Sequence, residues 1–549
     1  MLETATVVNM TEHSDDLDTP AIDRQSFLAR TAAAAGALGL GGLMGLPGVA
    51  GAATTAPTTL KGMNVVMFIT DQERAIQHFP IGWAQENMPG MTQLQRHGLT
   101  FNNAFTNACM CSPARSTLMS GYFPAQHGVK YTLEANMTSP TYPDQVPLST
   151  SLANIATVMS AAGYNVVYKG KWHCSKPPGQ STNPDVAWTS ADLNAYSFNR
   201  WNPNDAGANQ SFPEMGGGTA QNDARFIGSQ TTNYTDGNEG ALQFLNSYAA
   251  SQQPFFLIVS LVNPHDVLEY PKSLTDAGYD TTWVEGDIGL PATVNEDLST
   301  KPRAQQIFLK LSAGLGVLNT AKKKRNYINF YGNLMKSSDE YLVNILGALT
   351  DNNLLGNTLV IKTADHGELG VAHGGMRQKN FNFYEEAINV PLIYSNPNLY
   401  KRPVRSDALV SHVDFLPTIA NLFEAPSTAQ APWEGVDYSS IVLNPKSKPV
   451  QEEIVFTYDD WQSGQASGPY IPPPQHIVSF REKRWKFAEY WDATGDVPSE
   501  FEMYDLKTDP LETVNLAHAS YQRTPAQDVQ FLRLMKKLQT IKSTRLQPL

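Results

Sequence analysis

The segment from Cys111 to Arg115 combines a nucleophilic side chain with a cation at helical spacing. Proline is favoured as the first residue of a helix, so Pro113 predicts a helix that continues through residues 114–119 and ends at Gly121. Cys111 would then lie beside the free N–H groups of a helix N-terminus, where an anion is stabilised. Arg115, one turn further on, can direct its guanidinium over the same point. The pattern indicates a reactive group in an anion pocket, whereas a lone cysteine is more often simply buried.

Polar residues follow several apolar runs of strand length. Residues 64–69 form such a run, which is typical of a fully buried parallel strand, and Asp71 and Gln72 come directly after it. Open α/β sheets bind their ligands at the carboxyl ends of the strands. Three further runs end in the same way: 164–168 before Lys171 and His173, 254–261 before His265, and 358–363 before Asp365 and His366.

Two of these strand ends carry residue types that bind ions. Lys171 and His173 are two residues apart on one loop, close enough to hold one anion together. Asp365 and His366 can present two ligands to one cation if the backbone bends, which Gly367 permits. Taken singly, an aspartate or histidine after a strand is more often a cap or a hydrogen-bonded loop residue. The sequence thus predicts an anion site and a cation site at the ends of strands.

The order of these residues resembles the formylglycine-dependent type I sulfatases of the alkaline phosphatase superfamily. Cys111 to Arg115 is similar to the Cys-x-Pro-x-Arg signature of that family, with Ala114 where the family often has serine. Residues 163–173 are similar to its second signature, and the resemblance extends over roughly residues 62–516. It implies that a formylglycine-generating enzyme oxidises Cys111 to formylglycine (3-oxoalanine), whose hydrate supplies the nucleophilic hydroxyl.

The resemblance also implies a metal site. Asp71, Asp365, His366 and the formylglycine oxygen at Cys111 would bind one divalent cation. Gln72 stands where many sulfatases have a second aspartate, and its carbonyl oxygen can still bind a hard cation with one less negative charge. Ca²⁺ is the expected ion, with Mn²⁺ or Mg²⁺ as alternatives because His366 and Gln72 alter the donor set.

The remaining roles are carried over from the family residue by residue. Arg115 would hold the hydrate, and Lys171 and Lys379 would neutralise the sulfate. His265, alone or with Lys379, would protonate the leaving alcohol, while His173 would take the proton of the second hydroxyl so that sulfate is expelled. Proton transfers of this kind typically contribute ~10²–10⁴-fold each.

The implied function is hydrolysis of sulfate monoesters, with aryl, choline and carbohydrate sulfates all open. One alternative is a formylglycine-dependent phosphonate monoester hydrolase or phosphodiesterase of the same superfamily, which Gln72 with His366 favours. A non-catalytic binding protein is a second alternative, and the joint presence of Cys111, Arg115 and Lys171 argues against it.

Composition limits the partners of the chain. Its 549 residues carry a net charge of −12, which argues against nucleic acid as a partner but leaves room for a local cationic pocket. Three cysteines are too few for a disulfide framework. Cys109 and Cys174 either pair or stay buried and free, and we favour the second. The sulfatase resemblance, not the composition, implies the expected partner, a small-molecule sulfate ester.

The predicted fold class is α/β, a mostly parallel central sheet flanked by helices over residues 60–445. Residues 390–393 are expected in an edge strand of that sheet. Residues 450–549 should form a smaller antiparallel sheet, with short strands at 454–458, 477–481, 485–490 and 502–506. A final helix from Pro525 is expected to bury one face, with Val529, Leu532, Met535 and Leu538.

Residues 1–53 have the composition of an export signal. Arg24, Phe27 and Leu28 resemble the twin-arginine motif, although Gln25 replaces its second arginine, and residues 50–52 fit a small-residue cleavage site. The apolar run is broken by glycines and short for a membrane span, so stable membrane insertion is not expected. A disordered tail with one membrane-anchoring helix is the alternative. The signal predicts a periplasmic or secreted protein.

Overall fold

The computed structural model describes residues 58–75, 78–134, 145–179, 186–207, 211–228, 238–248, 253–465 and 468–549. All of them belong to one compact unit. The predicted export signal, residues 1–53, lies outside the described residues. Within the described ranges, no helix has both the length and the apolar character needed to cross a membrane.

A seven-stranded mixed sheet forms the centre of the described fold, with the strand order β3-β4-β1-β5-β6-β2-β7. Every strand except β6 runs in the same direction, as the parallel pairs of the sheet show. The strands are β1 (Asn64–Asp71), β2 (Gly98–Phe105), β3 (Asn165–Gly170), β4 (Phe255–Pro264), β5 (Thr358–Ala364), β6 (Leu392–Ser395) and β7 (Val404–Ser411).

The apolar runs of the sequence form the interior strands because both faces of the sheet are covered. Side chains alternate between the faces, so Val65 and Met67 of β1 join one hydrophobic cluster while Val66 and Phe68 join another. These clusters contain helical residues from the layers on either side. The predicted mostly parallel sheet flanked by helices is confirmed.

Helices pack on both faces of this sheet and on the second sheet described below. Their bounds are α1 (Trp83–Asn87), α2 (Pro89–Arg96), α3 (Cys111–Ser120), α4 (Pro124–His127), α5 (Ile155–Ala161), α6 (Asn222–Ile227), α7 (Ala241–Ser247), α8 (Arg303–Leu311), α9 (Ala321–Asp351), the kinked turn α10 (Ala372–Gly375), α11 (Glu385–Ile388), α12 (Phe415–Leu422), α13 (Ser439–Leu443) and α14 (Pro525–Thr544). Short 3-10 helices span Asp192–Tyr196, Phe212–Glu214, His265–Glu269, Thr281–Val284, Leu298–Thr300, Ser312–Leu315, Leu355–Asn357, His412–Asp414 and Ser427–Ala429.

The position of β6 corrects one prediction. We expected residues 390–393 at an edge of the sheet, but β6 lies between β5 and β2 and pairs antiparallel with both. A four-residue strand has the same composition at an edge as in the interior of a sheet. Its position in the sheet is therefore known only once its pairing partners are known. The edge strands are β3 and β7.

A second, antiparallel sheet follows in the chain, as predicted. Its order is β11-β10-β9-β8, with β8 (Glu453–Tyr458), β9 (His476–Glu482), β10 (Trp485–Trp491) and β11 (Glu500–Asp505). The helix α14 packs on this sheet, and the prediction of its buried face is half right. Leu538 is buried and Met535 packs against the same cluster, as predicted, whereas Val529 and Leu532 are 64% and 67% exposed. The buried stripe continues instead along Leu534 and Ile541, because only the later turns of the helix contact the sheet.

The second sheet is hydrogen-bonded to the loop that leads into α3. The N–H of Thr457 donates to the carbonyl of Asn107 (2.9 Å), and the amide nitrogen of Asn107 donates to the carbonyl of Val455 (2.7 Å). The C-terminal sheet therefore supports the chain that carries Cys111. Cys109, Cys111 and Cys174 are all buried and free, which confirms the expectation for Cys109 and Cys174.

Candidate active site

The common direction of the strands gathers the predicted site residues at one edge of the central sheet. β1 ends at Asp71, and β3, β4 and β5 are followed by Lys171, His265 and Asp365. The loop after β2 leads to Cys111. The carboxyl ends of parallel strands form the usual ligand-binding edge of an α/β sheet. The topology thus brings together residues that are far apart in the chain.

Cys111 is the first residue of α3, not a residue before it. We predicted that the helix begins at Pro113, but the N–H of Ala114 donates to the carbonyl of Met110 (3.1 Å) and closes a turn that already includes Cys111. Pro113 fits there because the N–H groups of the first turn have no acceptor within the helix. Met110 has φ 125°, a value disfavoured for residues with a side chain. As predicted, the helix ends at Gly121, with φ 73°.

Four buried side chains form a group that can hold a metal ion. One ligand atom from each of Asp71, Cys111, Asp365 and His366 lies within 4.8 Å of the others. Sγ of Cys111 is 3.6 Å from Oδ1 of Asp71 and 3.4 Å from Nε2 of His366. Two carboxylates and an imidazole are suitable donors for a divalent cation. The donor chemistry therefore fits the cation that the sequence predicts.

His366 and Asp365 are oriented by the backbone around them. Nδ1 of His366 is 3.1 Å from the carbonyl oxygen of Gly367, so Nδ1 carries the proton and Nε2 keeps its lone pair. Burial lowers the pKa of His366 to about 4, which leaves the ring neutral. Oδ1 of Asp365 accepts the N–H groups of Gln72 (3.0 Å) and His366 (2.8 Å).

Arg115 joins the two carboxylates of this group. Its Nε donates to Oδ2 of Asp365 (2.8 Å), and Nη2 donates to Oδ2 of Asp71 (3.3 Å). Nη1 donates to Oγ of Ser260 in β4 (2.7 Å) and to the carbonyl of Lys171 (2.9 Å). A buried charge is retained at low cost only when such partners satisfy it.

The ammonium of Lys171 lies 2.5 Å from Oδ2 of Asp71, the same oxygen that Arg115 contacts. Burial alone would raise the pKa of Asp71, but the cationic and imidazole side chains around it hold the pKa well below its ordinary value. These are Lys171, His265, Arg115 and His366. Asp71 is therefore ionised and can bind a cation.

The two candidate proton-transfer histidines are neutral. Nε2 of His173 donates to the carbonyl of Leu133 (2.8 Å), and its Nδ1 has no hydrogen-bond partner among the described residues. Nδ1 of His265 also lacks a partner within the described chain. Burial lowers the pKa of both rings well below the ordinary value, and Lys171 lowers both further. Each ring thus has a basic nitrogen available in a buried position.

Gln72 turns its amide so that the oxygen faces Lys379. Its Nε2 donates to Oε2 of Glu368 (2.5 Å) and to Oε1 of Gln378 (3.3 Å), while Oε1 accepts from Nζ of Lys379 (2.6 Å). The backbone of Gln72 is in the left-handed region, with φ 69°. The backbone N–H of Gln72 donates to Oδ1 of Asp365 (3.0 Å), which places the residue next to the metal-ligating group. The carbonyl oxygen that faces Lys379 is the one atom of the Gln72 side chain with a lone pair for a cation.

The unmodified Cys111 thiol is poorly suited to act as a nucleophile. Burial, and after it the negative charge of Asp71, raises the pKa of Cys111 to about 12. The thiol therefore stays protonated at neutral pH, and a thiol is a much weaker nucleophile than a thiolate.

Comparison with known proteins identifies the family. The family model described as Sulfatase matches residues 63–425, more than half of the 549-residue chain. The chain belongs to the sulfatase family. A model described as N-sulphoglucosamine sulphohydrolase, C-terminal, matches residues 373–543 of this sulfatase. The protein is a sulfuric ester hydrolase, and sulfatases generally use a divalent cation and a formylglycine residue.

Curated relatives of this sulfatase match most of its length. The Delta 4,5-hexuronate-2-O-sulfatase of Bacteroides thetaiotaomicron is 26% identical over 77% of this chain and 78% of the relative. Arylsulfatase K of Canis lupus familiaris is 25% identical over 83% of this chain and 79% of the relative. A solved 2-O GAG sulfatase has a TM-score of 0.64 at 21% identity, covering 88% of this chain and 93% of the other. The sulfatase resemblance inferred from the motifs is confirmed.

A solved phosphonate monoester hydrolase of Agrobacterium radiobacter shares the fold of this sulfatase. Its TM-score is 0.62 at 19% identity, with 88% of this chain and 96% of the other covered. Similarity at this level of identity concerns the fold alone. Sulfate ester hydrolysis, the first of the predicted functions, is the activity that the family match supports.

Sequence reasoning missed several residues that shape the site. Ser260 could have been recognised from the sequence, because it is a polar residue inside the apolar run that forms β4. Glu368 could have been recognised too, since it follows the predicted ligand Asp365 by three residues. Asp205, which contacts the Lys171–His173 loop, lies in a long insertion, residues 175–250, whose sequence has little periodicity. Only the tertiary structure places it.

Proposed function

We propose that this sulfatase hydrolyses small sulfate monoesters, aryl or carbohydrate sulfates, through a formylglycine hydrate derived from Cys111. The modified residue would supply the hydroxyl that attacks the sulfur atom. One observation carries the proposal: Sγ of Cys111 lies 3.4–3.6 Å from atoms of His366 and Asp71, at the first residue of a buried helix. The names of the curated relatives, a hexuronate-2-O-sulfatase and an arylsulfatase, support the substrate class.

We infer that the cation is Ca²⁺ and that Asp71, Asp365, His366 and the modified residue 111 hold it, with Gln72 contributing its carbonyl oxygen. When bound, such an ion lowers the energy of negative charge on the reacting oxygens. Carboxylate and carbonyl oxygens would form most of the ligand set, and hard oxygen donors favour Ca²⁺. The single imidazole is the feature that would favour Mn²⁺ instead.

The cationic side chains would hold and neutralise the sulfate group. Arg115 would orient the hydrate from its position across the two carboxylates, and Lys171 and Lys379 would face the sulfate oxygens. His265 would protonate the leaving alcohol, because an anionic ester beside the ring adds negative charge that favours its protonated form. His173 would accept a proton through its free Nδ1 while Nε2 stays bonded to the backbone.

A mass spectrum of the tryptic peptide from His97 to Arg115 tests the nucleophile. In protein from the organism that encodes it, we expect Cys111 to carry CHO in place of CH₂SH, and Cys109 to remain a thiol. Cys109 is the internal control because it is buried two residues away and donates to the carbonyl of Ala387 (3.2 Å). An unmodified Cys111 in fully active enzyme would contradict the proposal.

We also propose the organisation of the chain around this activity. Residues 60–445 would form the catalytic domain and residues 450–549 a C-terminal subdomain. A formylglycine-generating enzyme would modify Cys111 in the nascent chain, before folding buries it. Residues 1–53 would then direct export to the periplasm or the exterior. The mass-spectrometry sample also reports the first residue of the mature chain, expected near Ala53, and a retained leader would contradict the export step.

The charge of Lys171 should matter more for catalysis than that of its buried neighbour Lys169. We expect Lys171→Met to lower kcat/KM by about 10²–10³-fold, the effect of removing one preorganised charge at a reacting oxygen. Lys169→Met is the matched control, because Lys169 is equally buried and pairs with Glu239 (2.9 Å). Both variants lose a buried ion pair and stability, so steady-state kinetics are measured on folded protein. Equal losses of kcat/KM would count against the role of Lys171.

A further inference from the structure

Residues 201–207 lie against the loop that carries Lys171 and His173. We call them the 201–207 segment. At the start of the loop, Nε1 of Trp201 donates to the carbonyl of Gly170 (2.8 Å), and the N–H of Gly170 donates to Oδ1 of Asn202 (2.9 Å). The segment thus satisfies both backbone groups of the last residue of β3.

Asp205 continues this contact along the loop. One carboxylate oxygen accepts the N–H of Trp172 and the other accepts the N–H of His173, both at 2.8 Å. Asp205 is 3% exposed, so these charge-assisted bonds are shielded from water. His173 has φ 53°, a conformation that a residue with a side chain keeps only when its surroundings hold it. Asp205 therefore holds the backbone that orients the His173 ring.

Gly207 completes the segment beside the ammonium of Lys171. It has φ 74°, and a Cβ at this position would lie 2.7 Å from Nζ and 3.2 Å from Cε of Lys171. The same Nζ is 2.5 Å from Oδ2 of Asp71. The missing side chain at Gly207 leaves the space in which the ammonium reaches Asp71.

The segment is itself anchored to the helix α6. Arg225, in α6, donates from Nη1 to the carbonyls of Asn202 (2.9 Å) and Pro203 (2.5 Å), and from Nη2 to the carbonyl of Asn204 (3.2 Å). Three consecutive carbonyls on one guanidinium fix the path of the chain toward Asp205. The contacts extend from the insertion to the loop without using any atom of the proposed metal site.

We propose that the 201–207 segment is a positioning element for the sulfate-binding side of the site, in which Asp205 sets the backbone of the Lys171–His173 loop and Gly207 sets the position of the Lys171 ammonium. The inference rests on the proposed function, in which Lys171 neutralises the sulfate and His173 moves a proton. Asp205 and Gly207 are positioning residues. They act on sulfate only through the loop.

Gly207→Ala tests the space beside Lys171. The added methyl meets the end of a flexible side chain, so the fold can be kept while the ammonium is displaced. We expect the inhibition constant of inorganic sulfate to rise about tenfold, less than the loss from removing a charge-stabilising donor outright. Gly163→Ala is the matched control, because Gly163 has φ 91° and an added Cβ there meets no atom within 4 Å. It carries the same kind of backbone strain without touching Lys171.

Asp205→Ala and Asp205→Asn test the backbone anchor. The alanine variant loses both acceptors, and misplacement of the loop should lower kcat on the order of 10²-fold. The asparagine variant keeps one oxygen, which can accept one of the two N–H groups. Its kcat should lie between those of the alanine variant and the wild type. Because His173 moves a proton, kcat should fall more than the affinity for inorganic sulfate. A purely structural role would lower stability without this ordered loss of kcat.

Three results separate the inference from the function on which it rests. Lys171→Met should raise the inhibition constant of sulfate at least as much as Gly207→Ala does. If Lys171→Met has this effect and Gly207→Ala behaves like Gly163→Ala, the positioning role of the segment is wrong and the role of Lys171 stands. If Lys171→Met leaves sulfate inhibition unchanged, the proposed role of Lys171 is wrong, and the inference fails with it.

Discussion

Cys111→Ala is expected to lower kcat/KM for an aryl sulfate by roughly 10⁴–10⁶-fold, the range seen when a covalent catalyst is removed. The substitution leaves Asp71, Asp365 and His366 in place but removes the atom from which the nucleophilic hydroxyl is made. Metal binding and anion binding alone would account for the residual rate. The measurement is steady-state kinetics on enzyme whose modification has been verified in the wild type.

Cys109→Ala is the control for this experiment. Cys109 is buried like Cys111, and its Sγ contacts the carbonyl of Ala387 rather than the metal-ligating group. Each variant removes a small buried side chain, the thiol at position 109 or the formylglycine at position 111, so their losses of folding free energy should be similar. We expect Cys109→Ala to keep kcat/KM within a few-fold of wild type. Substantial turnover by Cys111→Ala would show that a different group attacks the ester.

Asp365→Asn is expected to have the second largest effect, a loss of about 10³-fold in kcat/KM, equivalent to about 4 kcal/mol. One oxygen of Asp365 faces the metal-ligating group, and the other accepts the Nε–H of Arg115. The asparagine side chain cannot make both contacts, because its NH₂ group must face either the cation or the guanidinium. The substitution also removes one negative charge from the cation site. Elemental analysis should therefore find less bound metal in the variant.

Asp339→Asn is the matched control for this charge change. Asp339 is also buried, but among the described residues its hydrogen-bond donors are the backbone N–H groups of Gly90 and Met91, both at 2.7 Å. Its amide variant should lose stability and keep its metal content.

Reconstitution of metal-free wild type with Ca²⁺, Mn²⁺ or Mg²⁺ identifies the ion. Recovery with Mn²⁺ alone would overturn the assignment of Ca²⁺, and full metal occupancy in Asp365→Asn would remove Asp365 from the ligand set.

The sequence predicted those parts of the fold in which local pattern and tertiary environment agree. Buried parallel strands contain continuous apolar residues because both faces are covered, and β1, β4 and β5 were found at their predicted places for this reason. The antiparallel strands at the C-terminus were recognised from their short length and the turns between them. The errors arise where two arrangements have the same local pattern, as for the buried face of α14 and the position of β6 in its sheet.

By itself the sequence determined which residue types stand at the strand ends, among them Asp71, Lys171 and Asp365. It also determined the Cys111–Arg115 spacing, which resembles the sulfatase signature and, with the later signatures in the same order, predicted the family. Only the tertiary structure decided that the amide of Gln72 points its oxygen at Lys379, and that Asp205 holds the Lys171–His173 loop. The physical reason is the range of the interactions. Strand and helix patterns arise from neighbours in the chain, whereas a hydrogen bond across 307 residues, from Lys379 to Gln72, depends on how the strands are ordered in the sheet.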